Sequence, residues 1–132
     1  MLLTNALARR LFLHRHLLAE PPLGAGSGQA LADLISQLGF VQVDSINTLA
    51  RAHHMILWSR RAAYKPEGLK TLVEGDRALW EHWTHDASIL PIEVFPHWKH
   101  RFARSHARMQ TQWQKWFRPG YEAQLDTILA RI

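Results

Sequence analysis

A glutamine and an aspartate lie two residues apart in the stretch 39–47, at Gln42 and Asp44. The stretch alternates polar and apolar side chains, which predicts a short strand at 40–44 with Val41 and Val43 on its buried face. Gln42 and Asp44 then share the opposite face on a rigid backbone. A carboxylate can activate water and an amide can orient it, so this pair is the candidate catalytic site. The alternative is structural, because an aspartate at a strand end commonly forms a helix cap or an Asx turn.

Composition and charge limit the class of protein. The 132 residues suit one domain, and 47% hydrophobic with 20% charged residues is typical of a folded globular chain. The 16 Lys and Arg against 11 Asp and Glu give a net charge of +5, which favours an acidic partner such as nucleic acid. The lack of cysteine excludes disulfides, thiolate metal sites and a cysteine nucleophile. A soluble, intracellular protein is expected, because the start does not resemble a secretory signal and no apolar run could cross a bilayer.

Hydrophobic periodicity predicts an α+β chain that is mostly helical. The predicted elements are helices at 4–20, 30–38, 51–61, 65–75, 97–117 and 121–132 and strands at 40–44, 79–83 and 87–90. The chain order is two helices, a strand, further helices and an aromatic-rich hairpin. This order is typical of a winged helix-turn-helix domain, in which the hairpin lies beside nucleic acid. We therefore expect a winged-helix domain at 1–118 with a small β-hairpin wing. The amphipathic helix at 119–132 either folds back onto that domain or opens a second winged-helix unit.

Basic residues follow the predicted helices. The long helix carries a basic stripe with helical spacing, formed by His97, Arg101, Arg104, Arg108 and Lys115. A solvated face is the ordinary explanation of such a stripe, but a line of cations can also follow a phosphate backbone. The residues that we predict to contact DNA are Arg51, Arg60, Arg61, His85, Arg101, Arg104 and Arg108.

Histidines are the remaining candidates for chemistry. His53 and His54 are adjacent, whereas useful metal-ligand pairs on a helix lie three or four residues apart. His82 and His85 fall on the predicted hairpin without an acidic ligand set around them. We predict no metal site and no cofactor.

Three blocks of sequence together resemble one known family. They are residues 39–47 around Gln42 and Asp44, residues 50–60 with the two histidines, and residues 83–91 on the hairpin. Their order and spacing are similar to those of the YcaQ/AlkZ-like winged-helix DNA glycosylases, which unhook interstrand crosslinks and remove alkylated bases. The resemblance covers about residues 31–108.

The resemblance implies an activity and a site. It makes Gln42 and Asp44 the catalytic pair of a monofunctional glycosylase that acts on double-stranded DNA with alkylated or crosslinked bases, in the cytoplasm at the nucleoid. Members of that family continue into further winged-helix units and a β-barrel, whereas this sequence stops where a second unit would start. Two other interpretations stay open. One is a winged-helix DNA-binding protein or transcription regulator without catalysis, and the other is an interaction module that docks through its apolar stripe at 121–132.

Overall fold

The computed structural model describes residues 2–113, 124 and 127–131. In chain order the elements are α1 (Asn5–Arg15), α2 (Gly28–Leu38), β1 (Val41–Gln42), α3 (Ala52–Trp58), α4 (Pro66–Lys70) with a π-helical turn (Thr71–Gly75), β2 (Leu79–Trp83), β3 (Ala87–Pro91), a 3-10 turn (Ile92–Val94) and α5 (Phe95–Trp113). The protein is thus α+β with one small antiparallel sheet, as the sequence predicts.

The chain divides into two compact units, Met1–Val94 and Phe95–Ile132. The first contains α1 to α4 and the sheet, and the second contains α5. The predicted boundary at residue 118 and most of the predicted helix at 119–132 lie outside the described residues, so that division stays a prediction.

Helix α2 forms the centre of the first unit. Leu31, Leu34 and Ile35 recur with helical spacing and are almost fully buried. Burial of each such side chain contributes about 1.5–3 kcal/mol to folding. The helix ends where Gly39 adopts φ 86° and donates its N–H to the carbonyl of Ile35 at 2.9 Å. This left-handed C-terminal position favours glycine because a Cβ is strained there, and it follows directly on the end predicted for this helix, at residue 38.

The sheet has the strand order β1–β3–β2, and both pairs are antiparallel. Strands β2 and β3 form the predicted hairpin, with Trp83 paired to Ala87 next to its turn. Strand β1 pairs with β3 through Val41 opposite Ile89. Because β1 runs antiparallel to the central strand β3, the end of β1 lies beside the start of β3. The hairpin turn at residues 84–86 is at this same end of the sheet.

Several predicted elements differ in length from the observed ones, and the helix predicted at 4–20 already ends at Arg15. The strand predicted at 40–44 ends at Gln42, although the N–H of Val43 still donates to Ala87 O at 2.8 Å. The helix predicted at 51–61 ends at Trp58, where Arg60 N–H turns back to Leu57 O. The helix predicted at 65–75 divides into α4 and the π-helical turn.

Helix α1 begins after Thr4, whose hydroxyl caps it by accepting the N–H of Leu7 at 3.3 Å. It buries no residue, and Leu7, Leu11 and Phe12 are each about half exposed. The apolar stripe of α1 is therefore present without packing into the core of the part of the chain that the structure describes.

Candidate functional site

The site is built where β1 meets the hairpin. Gln42 lies opposite Ser88, which is fully buried, and Ser88 in turn lies opposite His82 on β2. Val41 is buried and Val43 packs against the core, so the alternation predicted for this segment holds from 41 to 43. Gln42 is half-buried on the opposite face. Val41 and Val43, on either side of Gln42, therefore fix the position from which its side chain extends.

Gln42 contacts the turn of the hairpin. Its amide nitrogen Nε2 donates to Oδ2 of Asp86 at 3.2 Å, although the two residues are 44 positions apart. The other carboxylate oxygen of Asp86 accepts the N–H of Ala87 at 2.8 Å. The main-chain oxygen of Asp86 accepts the Thr84 N–H at 2.9 Å and the Ser88 hydroxyl at 3.1 Å. The turn thus holds the carboxylate in one orientation beneath the amide.

Asp44 lies after the end of β1, and its surroundings differ from those predicted. Its Oδ1 accepts the N–H of Ile46 at 2.9 Å, which is an Asx turn. Its own N–H donates to Nδ1 of His53 at 3.4 Å instead of pairing with β3. These two contacts bend the chain away from the sheet, so the rigid strand predicted to carry both side chains reaches only Gln42.

One oxygen of each candidate side chain remains without a protein partner. Within the described residues, neither Oε1 of Gln42 nor Oδ2 of Asp44 accepts a hydrogen bond, and neither atom is buried. Gln42 and Asp44 therefore each present a hydrogen-bond acceptor that water can reach.

Two adjacent histidines of α3 contact different partners, and His53 contacts the Asp44 segment. His53 is buried on α3, and its Nδ1 must be unprotonated to accept the N–H of Asp44. Burial lowers the pKa of His53, assisted by the positive charges of His54 and Arg51 and opposed by Asp44. Nδ1 of His54 lies 2.7 Å from the Tyr64 hydroxyl. Burial raises the pKa of Tyr64 to about 12, so its hydroxyl stays protonated at neutral pH.

His54 also forms part of an apolar groove. The groove has a volume of about 390 Å³ and is lined by Leu49, Ala50, His54, Met55, Trp58, Tyr64 and Pro66. No three histidine, aspartate or glutamate side chains lie close enough to hold a metal ion in the part of the chain that the structure describes.

In the first unit, the basic residues predicted to contact DNA differ in how exposed they are. Arg51 and His85 are exposed, and the His85 ring meets Phe40 edge-on at a centroid distance of 5.7 Å next to the hairpin turn. Arg61 is half-buried, with its NH1 group donating to Arg60 O. Arg60 differs from the others because it is only 8% exposed and its guanidinium is bonded to main-chain oxygens. We predicted Arg60 as a DNA contact, whereas its guanidinium is directed at main-chain oxygens of the protein.

The second unit carries the basic stripe of α5. Arg104 and Arg108 are exposed, whereas Arg101 is half-buried with its guanidinium 5.4 Å from the centre of the Trp98 ring. Lys115, the last residue of the predicted stripe, lies outside the described residues.

A comparison with known families shows to which family the chain belongs. Residues 35–132, well over half of the chain, match the family described as "DNA glycosylase AlkZ-like". The chain belongs to this family. The resemblance predicted from the three sequence blocks is thereby confirmed. No solved structure matches the chain significantly.

Membership of the AlkZ-like family identifies the class of partner and reaction. It places the chain in a family of DNA repair glycosylases, which are hydrolases that act on DNA. The matched region contains β1, Asp44 and the whole hairpin, and leaves α1 outside. None of the helices within the described residues is long and apolar enough to cross a membrane.

Sequence reasoning missed two residues of this candidate site. Asp86 was not singled out, and His53 was considered only as half of an unsuitable metal pair. Asp86 does lie in the hairpin block at 83–91 that carries the family resemblance, which was an available signal. The contact of His53 with Asp44 had no such signal, because it depends on how α3 packs beside β1.

Proposed function

We propose that this AlkZ-like protein hydrolyses the N-glycosidic bond of N7-alkylated purines in DNA, with Asp44 activating water and Gln42 positioning it. The observation that carries the proposal is the pair of unpartnered, accessible oxygens on Gln42 and Asp44 inside the region matched to the glycosylase family. By the same proposal, interstrand crosslinks formed through such purines are unhooked by the same step.

The chemistry requires little beyond these two groups. An N7-alkylated purine already bears a positive charge, so it can leave the sugar without a strong general acid. As the bond to C1′ breaks, its electron pair stays with the purine and neutralises it. A carboxylate at Asp44 stabilises the developing oxocarbenium ion and takes the proton of the water that attacks C1′. Gln42 holds that water by accepting its second hydrogen.

We propose that the first unit is a winged helix whose hairpin lies against DNA. The order of α2, β1, α3, α4, β2 and β3 and the exposed ring of His85 at the hairpin turn support this arrangement. Arg51 adds a cation on the same unit, while Arg104 and Arg108 on α5 supply phosphate contacts from the second unit. Arg61 remains a candidate contact and Arg60 is omitted because it is buried.

A second candidate function has one observation in its favour. The Asx turn from Asp44 to Ile46 gives Asp44 a structural role without any catalysis. A winged-helix protein that only binds DNA would need no more than this contact. The two functions therefore differ in what happens when the carboxylate is changed but the turn is kept.

The test uses Asp44→Asn. Asparagine also forms Asx turns, so the hydrogen bond to Ile46 is retained while the charge and the proton acceptor are lost. Base release from a duplex that carries N7-methylguanine should fall by about two to four powers of ten. Asp76→Asn, an exposed residue of the same unit, is the matched control and should release base at the wild-type rate. Wild-type rates for Asp44→Asn would show that Asp44 is not catalytic.

A further inference from the structure

The hydrogen bond between Gln42 and Asp86 determines which way the Gln42 amide faces. A carboxylate accepts hydrogen bonds and donates none, so the group that meets Oδ2 of Asp86 at 3.2 Å must be the NH₂ end of the amide. Asp86 cannot turn away, because its other oxygen is occupied by the Ala87 N–H at 2.8 Å. The carbonyl end of Gln42, Oε1, is then the end left for water.

From this contact we infer that Asp86 is a positioning residue for the reaction. It keeps Oε1 of Gln42 directed at the attacking water as an acceptor, so that the water presents its lone pair, and not a hydrogen, to C1′. The inference rests on the proposed function, because it assigns a role to Asp86 only if Gln42 binds that water. Asp86 itself touches neither water nor sugar in this scheme.

Asp86→Asn provides a specific test because asparagine has one oxygen where aspartate has two. That oxygen is needed by the Ala87 N–H, so the new NH₂ group faces Gln42. Gln42 must then reverse its amide and offer Oε1 to the asparagine. A donor replaces the acceptor at the water site, and base release should fall about a hundredfold or more.

A second substitution should reverse this loss. In the double variant Asp86→Asn with Gln42→Glu, one glutamate oxygen accepts from the asparagine NH₂ and the other faces the water as an acceptor. Base release should recover to within about tenfold of the wild-type rate. The single variant Gln42→Glu places its carboxylate against that of Asp86, and because the two charges repel each other its base release should be slow. A purely structural role for Asp86 predicts no such rescue.

The measurement is single-turnover release of N7-methylguanine from duplex DNA by the full chain at saturating protein. Thermal melting and DNA affinity are recorded for every variant, and Asp76→Asn is the control for loss of a surface carboxylate. If Asp86→Asn does not fold, Asp86→Ser replaces it, because a serine hydroxyl can still accept the Ala87 N–H while leaving the Gln42 amide unsupported.

The outcomes separate this inference from the proposed function. Loss in Asp86→Asn and recovery in the double variant would support the positioning role. If Gln42→Ala loses activity but Asp86→Asn is as fast as wild type, or if the double variant stays as slow as Asp86→Asn, the positioning role is wrong and the proposed function stands. If the wild-type chain releases no base, both fail together.

Discussion

Arg60→Met tests whether Arg60 supports the fold or contacts DNA. The sequence places this arginine among the DNA contacts, but its Nε donates to His16 O at 2.8 Å and its NH1 donates to Ile56 O at 2.8 Å. These bonds join the end of α1 to the end of α3. Methionine keeps the length and the apolar part of the side chain and removes every donor.

The cost of this substitution follows from the two carbonyls. Ile56 O retains a bond from the Ser59 hydroxyl at 2.9 Å, whereas no other bond to His16 O is found among the described residues. His16 is exposed, so water can replace the lost donor at its carbonyl, and the cost is that of losing two bonds from a charged donor, about 1.5–3 kcal/mol each. Removal of a buried charge offsets part of this. We expect the free energy of unfolding to fall by about 2–4 kcal/mol, measured by urea denaturation.

DNA binding supplies the contrasting result. Arg51 is exposed, so Arg51→Met should leave the urea midpoint unchanged and reduce the slope of log affinity against log salt by about 1. Arg60→Met, measured well below its melting temperature, should keep the wild-type slope. A stable Arg60→Met protein with a shallower salt slope would refute the structural role of Arg60.

Three further predictions concern folding. The pKa values of His53 and His54 are lowered from 6.5, mainly by burial, so the unfolded chain binds more protons than the folded one just below pH 6.5. The free energy of unfolding should therefore be highest above pH 6.5 and fall as the pH drops through the lowered pKa values. Urea titrations at several pH values measure this. Gly26→Ala should destabilise the protein by about 1–3 kcal/mol in thermal melts, since a Cβ would overlap the main-chain nitrogen of Tyr64. Gly39→Ala should cost about 1 kcal/mol in the same assay, because φ is 86° there although nothing lies within 4 Å of its Cβ.

Each of these predictions has a matched comparison. His53→Gln should flatten the pH dependence, whereas His14→Gln, an exposed substitution on α1, should leave it unchanged. Gly75→Ala is the control for both glycines, because its Cβ would meet only an ordinary 3.8 Å contact with Thr71. Equal melting temperatures for Gly26→Ala and Gly75→Ala would contradict the close approach of Gly26 to residues 63–64.

The features that the sequence predicted well are local. The hairpin follows from two short apolar segments around residues 84–86, and the end of α2 follows from Gly39. The family could also be named, because three blocks with fixed order and spacing are present in the printed chain. The alternation of Val41, Gln42 and Val43 assigned the buried and open faces of β1 before any contact was known.

What failed or was missed depends on contacts between distant residues. The strand was predicted to reach Asp44, but Asp44 takes its hydrogen bonds from Ile46 and gives its N–H to His53, a competition that alternation does not encode. Arg60 was predicted as a DNA contact, and the bonds of its guanidinium to His16 O and Ile56 O were not foreseen because His16 is distant in the sequence.

The sequence by itself therefore determined the family and the buried and open faces of the segment 41–43, because these depend on side-chain order along the chain, and it also led to Gln42 and Asp44 as the proposed pair. Only the tertiary structure decided that Asp86 sets the orientation of Gln42, since the two residues are 44 positions apart and meet because β3 lies beside β1. The orientation of the Gln42 amide depends on whether the residue across that contact donates or accepts a hydrogen bond. The order of the strands decides which residue lies there.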